Sequence, residues 1–285
     1  MKLISFARNG ISSFGAVVGD GIVDLTGRLD ADVRTIRQLL ERGLSTTAVD
    51  YIKDRRPELT WADIQILPVV PNPSKILCIG LNYADHKKET GRPDVEHPTV
   101  FTRFADSQVA HGQGLVKPSF SDRFDYEGEL AIVIGTGGRN ITEADALDHI
   151  GGYACYNDGS VRDWQHHTMQ FIPGKNFPGT GAFGPYLVTP DEVGDYTKLG
   201  IETRLNGNTM QKATLSDLIF PLEKLISYCS QFTPLSAGDV IVTGTPGGVG
   251  DKRKPPVYMV PGDTAEVIID IVGTLKNPII GDAAP

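Results

Sequence analysis

Three acids at alternate positions open the apolar segment FDYEGELAIVIG, residues 124–135. Residues i and i+2 of a strand point to the same face, so Asp125, Glu127 and Glu129 are predicted to share one face. At strand spacing, neighbouring carboxylates are roughly 6.6 Å apart, and at an effective dielectric near 20 each pair repels by about 2–3 kcal/mol. A solvated strand face that pairs with lysines or arginines is the simplest interpretation. The following AIVIG has no polar alternation, however, which indicates that both faces of the strand are covered and favours a role as ligands.

A fourth acid follows another apolar segment. Asp158 comes directly after GGYACYN, at a predicted turn. If this turn lies beside the acidic strand, Asp158, Glu127 and Glu129 supply three sets of carboxylate oxygens. Oxygen ligands suit Mg²⁺ or Mn²⁺, with Ca²⁺ as an alternative, better than a metal that prefers thiolates. A bound cation would also remove the repulsion between the acids, so we predict a divalent metal site.

Residues 82–91, NYADHKKETG, have the pattern of a short helix, with Asn82 as its N-cap and Gly91 at its end. Such a helix places His86 and Glu89 on one face, at i and i+3. A carboxylate beside an imidazole raises the basicity of the ring and can orient it, as a general base requires. The alternative is an exposed helix with an incidental contact between the two side chains.

Two cationic residues and an amide lie downstream of Asp158. Arg162, Gln165 and Lys175 would each be routine surface or structural residues in isolation. Near a metal-binding acid, the same cations can hold a substrate carboxylate or a developing oxyanion.

Other motifs are less convincing. GTGAFG at 179–184 matches G-x-G-x-x-G, but it is predicted to lie in a loop before Pro185, without the strand and helix that dinucleotide binding needs. GTPGGVG at 244–250 lacks the ending of a P-loop, and no G-x-S-x-G motif occurs. The pair His166-His167 lacks metalloprotease spacing and is interpreted as surface histidines.

The overall composition restricts the class of protein. The 285 residues carry a net charge of −8, which argues against a nucleic-acid partner. The sequence shows neither the apolar stretch of a secretory signal nor one long enough to span a membrane. The three cysteines, Cys78, Cys155 and Cys229, are far apart and suit reduced core thiols. We therefore expect a soluble cytoplasmic protein.

The elements that must position these residues are mostly short β-strands separated by Gly- and Pro-rich turns. Residues 1–17 and 21–25 read as strands, 31–55 as helical, and 215–232 as the one substantial helix, with Pro221 in its first turn or at a kink. Prolines near residue 70 mark a boundary. We predict a small α+β accessory domain at 1–70 and a mainly β (α+β) catalytic domain at 71–285, built as a sandwich or roll.

Six segments together resemble the fumarylacetoacetate hydrolase family, in the family's order and across roughly residues 71–275. They are KILCIGLNYADHKKE (75–89), DYEGELAIVIG (125–135), GYACYNDGSVRDWQ (152–165), GKNFPGTGAFGP (174–185), LNGNTMQ (205–211) and GDVIVTGTPGGVG (238–250). This resemblance implies a mixed β-sandwich roll, a homodimer and a bound divalent cation.

The resemblance also implies roles for individual residues. It makes Glu127, Glu129 and Asp158 the metal ligands and His86 with Glu89 a pair on a lid at 82–92 that activates water. Lys175 matches a lysine that helps to bind substrate oxygens near the metal. The remaining substrate contacts are matched by Arg162, Gln165 and Thr245. Asp125 is not a usual ligand and is expected to support the site from behind.

The implied reaction is hydrolysis of a C–C bond in an acylpyruvate or related 1,3-diketo acid, of the fumarylpyruvate or maleylpyruvate type, in aromatic-compound catabolism. His86 takes a proton from water, which attacks the second carbonyl; the C–C bond then breaks, and the enolate of pyruvate, which the metal and Lys175 would hold, leaves. The alternative is a decarboxylase or isomerase of a 2-oxo or 2-hydroxydienoate diacid, of the oxaloacetate decarboxylase or 2-hydroxyhepta-2,4-diene-1,7-dioate isomerase type. A non-catalytic metal-stabilised scaffold and a nicotinamide oxidoreductase are less favoured.

Overall fold

Strands form where the sequence places short β-branched and apolar runs between turn residues. The computed structural model describes residues 1–90 and 96–282, without the side chains of Lys87 and Thr90. Its strands are β1 Lys2–Arg8, β2 Ile11–Val18, β3 Gly21–Asp24, β4 Gln65–Ile66, β5 Ile76–Gly80, β6 Thr99–Thr102, β7 Gln108–Val109, β8 Leu115–Lys117, β9 Phe124–Asp125, β10 Gly128–Ile134, β11 Ile150–Asn157, β12 Ser160–Val161, β13 Gly181–Val188, β14 Gly200–Leu205, β15 Asn208–Thr214, β16 Val240–Val242, β17 Thr264–Ile269 and β18 Gly273–Gly281.

The α-helices are short and lie between these strands. They are α1 Ile36–Glu41, α2 Ser45–Ile52, α3 Ala84–Thr90, α4 Arg162–Gln165, α5 Ile172–Lys175, α6 Pro190–Val193 and α7 Leu222–Phe232. Six 3₁₀ turns occur in the described part of the chain, at Trp61–Asp63, Ala105–Ser107, Ala146–His149, Tyr196–Lys198, Leu215–Asp217 and Gly250–Lys252.

Two large mixed sheets make up the architecture. The first follows the order β3-β2-β1-β13-β11-β10-β16-β5-β6, with β4 added to β1 and β7 to β13, and the second the order β15-β14-β17-β18-β8. Most pairs are antiparallel, whereas β16–β5, β13–β7 and β18–β8 are parallel. A short ribbon pairs β12 with β9. The predicted mainly β fold with mixed sheets is confirmed.

The central strand β10 is buried along its whole length. Leu130 and Ile132 belong to a core that also contains residues of the second sheet such as Val267. Ala131 and Val133 belong to a separate core on the opposite side. The prediction that both faces of this strand are covered is therefore confirmed, and the strand can hold side chains away from water at its first residues.

The amino-terminal region shares this architecture. Strand β1 pairs antiparallel with β13, with Leu3 opposite Leu187, so the first sheet continues across the predicted boundary at residue 70. The two-domain division stays a prediction. The predicted helical stretch at 31–55 is two short helices, because Gly43 has a φ of 63° and interrupts the path between α1 and α2.

Three other predicted elements differ in detail. The helix predicted at 215–232 begins only at Leu222, with Pro221 as its N-cap in an extended conformation. The GTGAFG segment is not wholly a loop, since strand β13 starts at Gly181, and no helix follows it before Pro190. Helix α3 begins at Ala84, so Asn82 is not its N-cap, and the predicted end at Gly91 lies outside the described residues.

The remaining predictions about the whole chain concern thiols and membranes. All three cysteines are buried and free, as predicted for reduced core thiols. Among the described residues, no helix combines the length and apolarity needed to cross a membrane.

Candidate active site

The acidic segment is broken rather than continuous. Strand β9 ends at Asp125 and pairs with β12, and β10 starts at Gly128 and pairs with β11. The alternation predicted for one strand therefore fails at Asp125, which lies in a different sheet. Glu127 lies at the break, where its N–H donates to Asn157 Oδ1 at 3.1 Å and its carbonyl accepts the Asp158 N–H at 2.8 Å. The break thus brings the backbones of Glu127 and Asp158 together.

The side chains of Glu127, Glu129 and Asp158 converge. One carboxylate oxygen from each lies within 4.8 Å of the others, and all three residues are buried. Glu129 reaches the cluster from β10, where Oε2 also accepts the Gly244 N–H at 2.5 Å. The convergence that strand patterning could only suggest is present in the structure.

Three buried cations surround this cluster. Lys175 Nζ lies 2.6 Å from Glu127 Oε2 and 2.5 Å from Asp158 Oδ2. Arg103 Nη1 lies 2.6 Å from the other Asp158 oxygen, and Arg162 Nη1 lies 2.7 Å from Glu127 Oε1. Buried charges are tolerated only when paired in this way.

The cations are not shared equally between the acids. Burial alone would raise the pKa of Glu127, but Arg162 and Lys175 outweigh burial and hold that pKa well below its usual range. Burial raises the pKa of Glu129 well above its usual range, and the charges of Asp158 and Glu127 add to this effect. Three converging carboxylates, of which Glu129 has no cationic partner at contact distance among the described residues, fit a divalent cation, because Mg²⁺ and Mn²⁺ prefer hard oxygen ligands.

Asp125 supports the site instead of joining the cluster. Its Oδ2 accepts from Arg162 Nε at 2.8 Å, and its two oxygens accept the backbone N–H groups of Gly250 and Asp251 at 2.8 and 2.9 Å. Arg162 also donates to Gln165 Oε1 at 2.9 Å. Asp125 therefore fixes both Arg162 and the turn at Gly250–Lys252.

Helix α3 brings His86 and Glu89 into contact. His86 Nδ1 lies 2.8 Å from Glu89 Oε1, and Glu89 Oε2 accepts the Gly248 N–H at 3.0 Å. Burial alone would raise the pKa of Glu89, but these hydrogen bonds outweigh burial and lower it. The carboxylate thus orients the ring, and the second ring nitrogen is the one that can exchange a proton with a molecule in the site.

Thr245 is held by a network that sequence analysis did not identify. Its hydroxyl donates to the Gly128 carbonyl at 2.9 Å and accepts from Gln211 Nε2 at 2.8 Å. Gln211 Oε1 accepts the Gly128 N–H at 3.0 Å, so this amide holds the residue between the two glutamates. Gln211 is the last residue of the segment LNGNTMQ. The resemblance of this segment to the family was the only sequence feature that pointed to Gln211 as a site residue.

One cavity of about 140 Å³ joins most of these residues. Seven of the nine predicted site residues line it: His86, Glu127, Glu129, Arg162, Gln165, Lys175 and Thr245. Glu89 and Asp158 lie behind them, through their bonds to His86 and Lys175. Apolar side chains that include Ile79, Phe101 and Val249 form the remaining wall.

Further lining or supporting residues were missed. His166, interpreted as a surface histidine, is exposed but lines the cavity, and so does Lys252. Arg103, which contacts Asp158, had no sequence signal, because a single arginine at the end of a strand has many ordinary roles.

The fold and the site together define a mixed β-sandwich roll with a buried carboxylate cluster facing a small cavity. The family model described as fumarylacetoacetate (FAA) hydrolase C-terminal matches residues 75–280, and the chain belongs to this family.

Its relatives are enzymes with different reactions. An oxaloacetate tautomerase of Xenopus laevis, named as mitochondrial, is 39% identical over 288 residues, which is 98% of this chain and 90% of the relative. A fumarylacetoacetate hydrolase structure from Exiguobacterium antarcticum has a TM-score of 0.84 at 32% identity, covering 99% of this chain and 100% of the other. A maleylpyruvate hydrolase structure from Sphingobium sp. SYK-6, in complex with manganese(II) and pyruvate, has a TM-score of 0.83 at 28% identity, with the same coverage.

Proposed function

We propose that this protein is a divalent-metal-dependent enzyme that moves a proton between carbon and oxygen of a 2-oxo diacid, with oxaloacetate as the favoured substrate. The observation that carries the proposal is the likeness to an oxaloacetate tautomerase along 98% of the chain. It favours the isomerase-type alternative over the hydrolase that the sequence first suggested. The cavity of about 140 Å³ is of a size that suits a small acid.

When bound to Glu127, Glu129 and Asp158, a divalent cation supplies Lewis-acid polarisation of the substrate's oxygens. The manganese(II) in the similar maleylpyruvate hydrolase supports this assignment, with Mg²⁺ or Mn²⁺ as the ion we propose. The donor set of three carboxylates fits either cation.

The chain's own side chains bind the substrate and move the proton. Arg162 lines the cavity with Nη2 2.8 Å from Asp125 Oδ2 and Nη1 2.7 Å from Glu127 Oε1, and its positive charge attracts a substrate carboxylate to this wall. Lys175 keeps a positive charge next to the substrate's oxygens, which favours a negative charge that develops there. His86, oriented by Glu89, takes the proton from the substrate carbon beside the keto group, the C–H electron pair forms the C=C bond of the enol, and the proton is delivered to the former keto oxygen; the ketonisation direction runs through the same steps in reverse. The apolar wall at Phe101 and Val249 limits water at this carbon.

Hydrolysis of an acylpyruvate in aromatic catabolism is the second candidate. The His86–Glu89 pair favours it, because an oriented base can equally take a proton from water. The similar maleylpyruvate hydrolase supports it as well.

A metal-dependent turnover panel separates these reactions. The protein is stripped with chelator, restored with Mg²⁺ or Mn²⁺, and given oxaloacetate, acylpyruvates, fumarylacetoacetate and a hydroxydienoate diacid. We expect metal-dependent loss of the ultraviolet absorbance of enol-oxaloacetate without release of pyruvate. Pyruvate with carbon dioxide would indicate a decarboxylase instead, and pyruvate released from an acylpyruvate would indicate the hydrolase. Turnover of none of these acids would contradict the proposal.

The role of His86 is tested in the same assay. His86→Ala is expected to lower kcat by about 10²–10⁴-fold while metal binding is kept, which is the range for losing a general base. Retained turnover would remove His86 from the mechanism.

Two further expectations stay predictions. A homodimer would give a solution mass of about twice 30.8 kDa by light scattering. The similar tautomerase is named as a mitochondrial protein, so fractionation of the source cells is needed to test the cytoplasmic location.

A further inference from the structure

Cationic side chains line the cavity at different depths. The side chains of Lys175 and Arg162 are 1% and 6% exposed, whereas that of Lys252 is 36% exposed. All three line the same cavity. The first two therefore lie at its floor beside the carboxylate cluster, and Lys252 lies towards solvent.

The floor cations are already engaged with carboxylates of the protein. Lys175 contacts Glu127 and Asp158, and Arg162 contacts Asp125 and Glu127. Each floor cation thus pairs with two buried carboxylates. Lys252 has a single ion pair within residues 1–90 and 96–282, with Asp251 Oδ2 at 2.9 Å, and its side chain is more exposed.

Lys252 helps to keep Asp251 charged, but it is not the only partner of this carboxylate among the described residues. Its Oδ1 accepts from Arg123 Nη2 at 2.6 Å and from the Tyr258 hydroxyl at 2.8 Å. If the Lys252 ammonium turns towards a ligand, Asp251 keeps two donors. The turn therefore carries a cation that can be released without leaving a buried carboxylate unpaired.

The backbone below Lys252 is fixed relative to the floor. Gly250 and Asp251 donate their N–H groups to Asp125, whose carboxylate also binds Arg162. Since one aspartate ties the turn and the floor arginine together, the fold fixes the Lys252 backbone relative to Arg162, while the exposed lysine side chain can turn towards a ligand.

We propose that Lys252 binds the second anionic group of the substrate and thereby selects dicarboxylates over monocarboxylates. This inference rests on the proposed function, since it assumes that the first carboxylate and the keto group occupy the floor of the cavity. A protein with a net charge of −8 places a releasable lysine at this mouth, where it counters the repulsion of a doubly charged acid. In the competing explanation, Lys252 only stabilises the turn through Asp251.

The test compares two ligands that differ by one carboxylate. Pyruvate is oxaloacetate without its distal carboxylate, so it serves as a competitive inhibitor in the oxaloacetate assay. In the metal-loaded enzyme, Lys252→Gln is expected to raise the KM for oxaloacetate by about tenfold, as for loss of a charge-assisted hydrogen bond, with little change in kcat. The Ki for pyruvate should not change, and Lys252→Arg should restore most of the difference.

Lys254→Gln is the matched control, because Lys254 is an exposed lysine of the same loop that does not line the cavity. It should change neither constant. Equal changes for both ligands in Lys252→Gln, or none, would overturn the proposal in favour of a turn-stabilising role.

Calorimetry with pyruvate and with 2-oxoglutarate measures the same contrast without turnover. A wild-type protein that fails to convert oxaloacetate would remove the proposed function. A Lys252-dependent preference for the diacid in calorimetry would still support the role of Lys252. Turnover of oxaloacetate without a Lys252-dependent preference for the diacid in calorimetry would overturn the role of Lys252 and leave the proposed function standing.

Discussion

At the scale of single residues, two glutamates separated by one glycine have opposite electrostatics. Glu127 contacts Arg162 and Lys175, whereas Glu129 has the backbone N–H of Gly244 as its partner and faces other carboxylates. The pKa of Glu127 is therefore lowered and that of Glu129 raised, although both are buried. This difference identifies Glu129 as the acid that gains most from a bound cation.

Glu129→Gln should weaken metal binding and abolish turnover. Losing one of three ligands should lower metal affinity by more than about 100-fold, beyond the 10–100-fold typical of losing an outer partner. Without metal, the variant should melt at the same temperature as the wild type or higher, because a repelled buried charge is removed. Thermal melts with and without Mn²⁺ measure both effects, with Glu143→Gln at the exposed surface as control. An unchanged metal-induced shift would exclude Glu129 as a ligand.

The Glu89 carboxylate should make stability depend on pH. Its pKa is lowered from 4.5 because hydrogen bonds from His86 and Gly248 outweigh burial. A carboxyl with a lowered folded pKa stabilises the protein above its unfolded pKa and loses this contribution as pH falls through the folded value. Glu89→Gln should thus melt below the wild type at pH 7, and the gap should narrow below pH 4.5. Glu58→Gln, at an exposed glutamate, is the control. A difference in melting temperature that stays constant with pH, or the same pH-dependent difference in Glu58→Gln, would contradict the role of Glu89 in the pH dependence of stability.

At the scale of elements, the site depends on close approaches between strands and loops. Arg103, just after β6, reaches Asp158 while its guanidinium lies over Gly181 at the start of β13. A Cβ at Gly181 would lie 2.7 Å from Arg103 Nη2. This glycine of the GTGAFG segment therefore leaves room for the Arg103 guanidinium.

Gly181→Ala should displace Arg103 and loosen Asp158. We expect metal affinity to fall by about tenfold, as for loss of a partner that orients a ligand. Titration calorimetry with Mn²⁺ measures the affinity directly. Gly281→Ala is the control, since the nearest atom to its Cβ would be 3.8 Å away. Wild-type affinity in Gly181→Ala would show that Arg103 does not position Asp158.

At the scale of the whole molecule, the amino-terminal region and the catalytic region share a core. Phe14, Leu39 and Leu3 are fully buried in the same cluster as Val133 and Tyr156 of the central strands. Strand β1 also completes the hydrogen bonding of β13. Residues from both sides of the predicted boundary at residue 70 therefore pack in one core, and the division into two domains stays a prediction.

A fragment of residues 71–285 should fail to fold. Each large apolar side chain that is buried contributes about 1.5–3 kcal/mol to stability. Because the amino-terminal region contributes several of them, their summed contribution exceeds the total free energy of unfolding of about 5–15 kcal/mol that is typical of proteins. Expression should give aggregated or non-cooperatively unfolding material, as judged by circular dichroism during heating. A soluble fragment with a sharp melting transition would instead establish residues 71–285 as an independent domain.

The sequence by itself determined the chemistry available to this protein and the local geometry of parts of it. The buried run after Glu129 indicated a covered strand, and the i, i+3 spacing of His86 and Glu89 predicted their contact. The periodicity of a sequence predicts on which face of a helix or strand each side chain lies, because that face depends only on the backbone geometry of the same element.

Only the tertiary structure decided which elements become neighbours. The pairing of Gly128 with Asn157 sets Asp158 beside Glu127, and the break before Gly128 moves Asp125 to Arg162. Arg103 and Lys252 join the site through contacts between segments distant in the chain. Such contacts depend on strand register and core packing, which sum many weak interactions and leave no local pattern in the sequence.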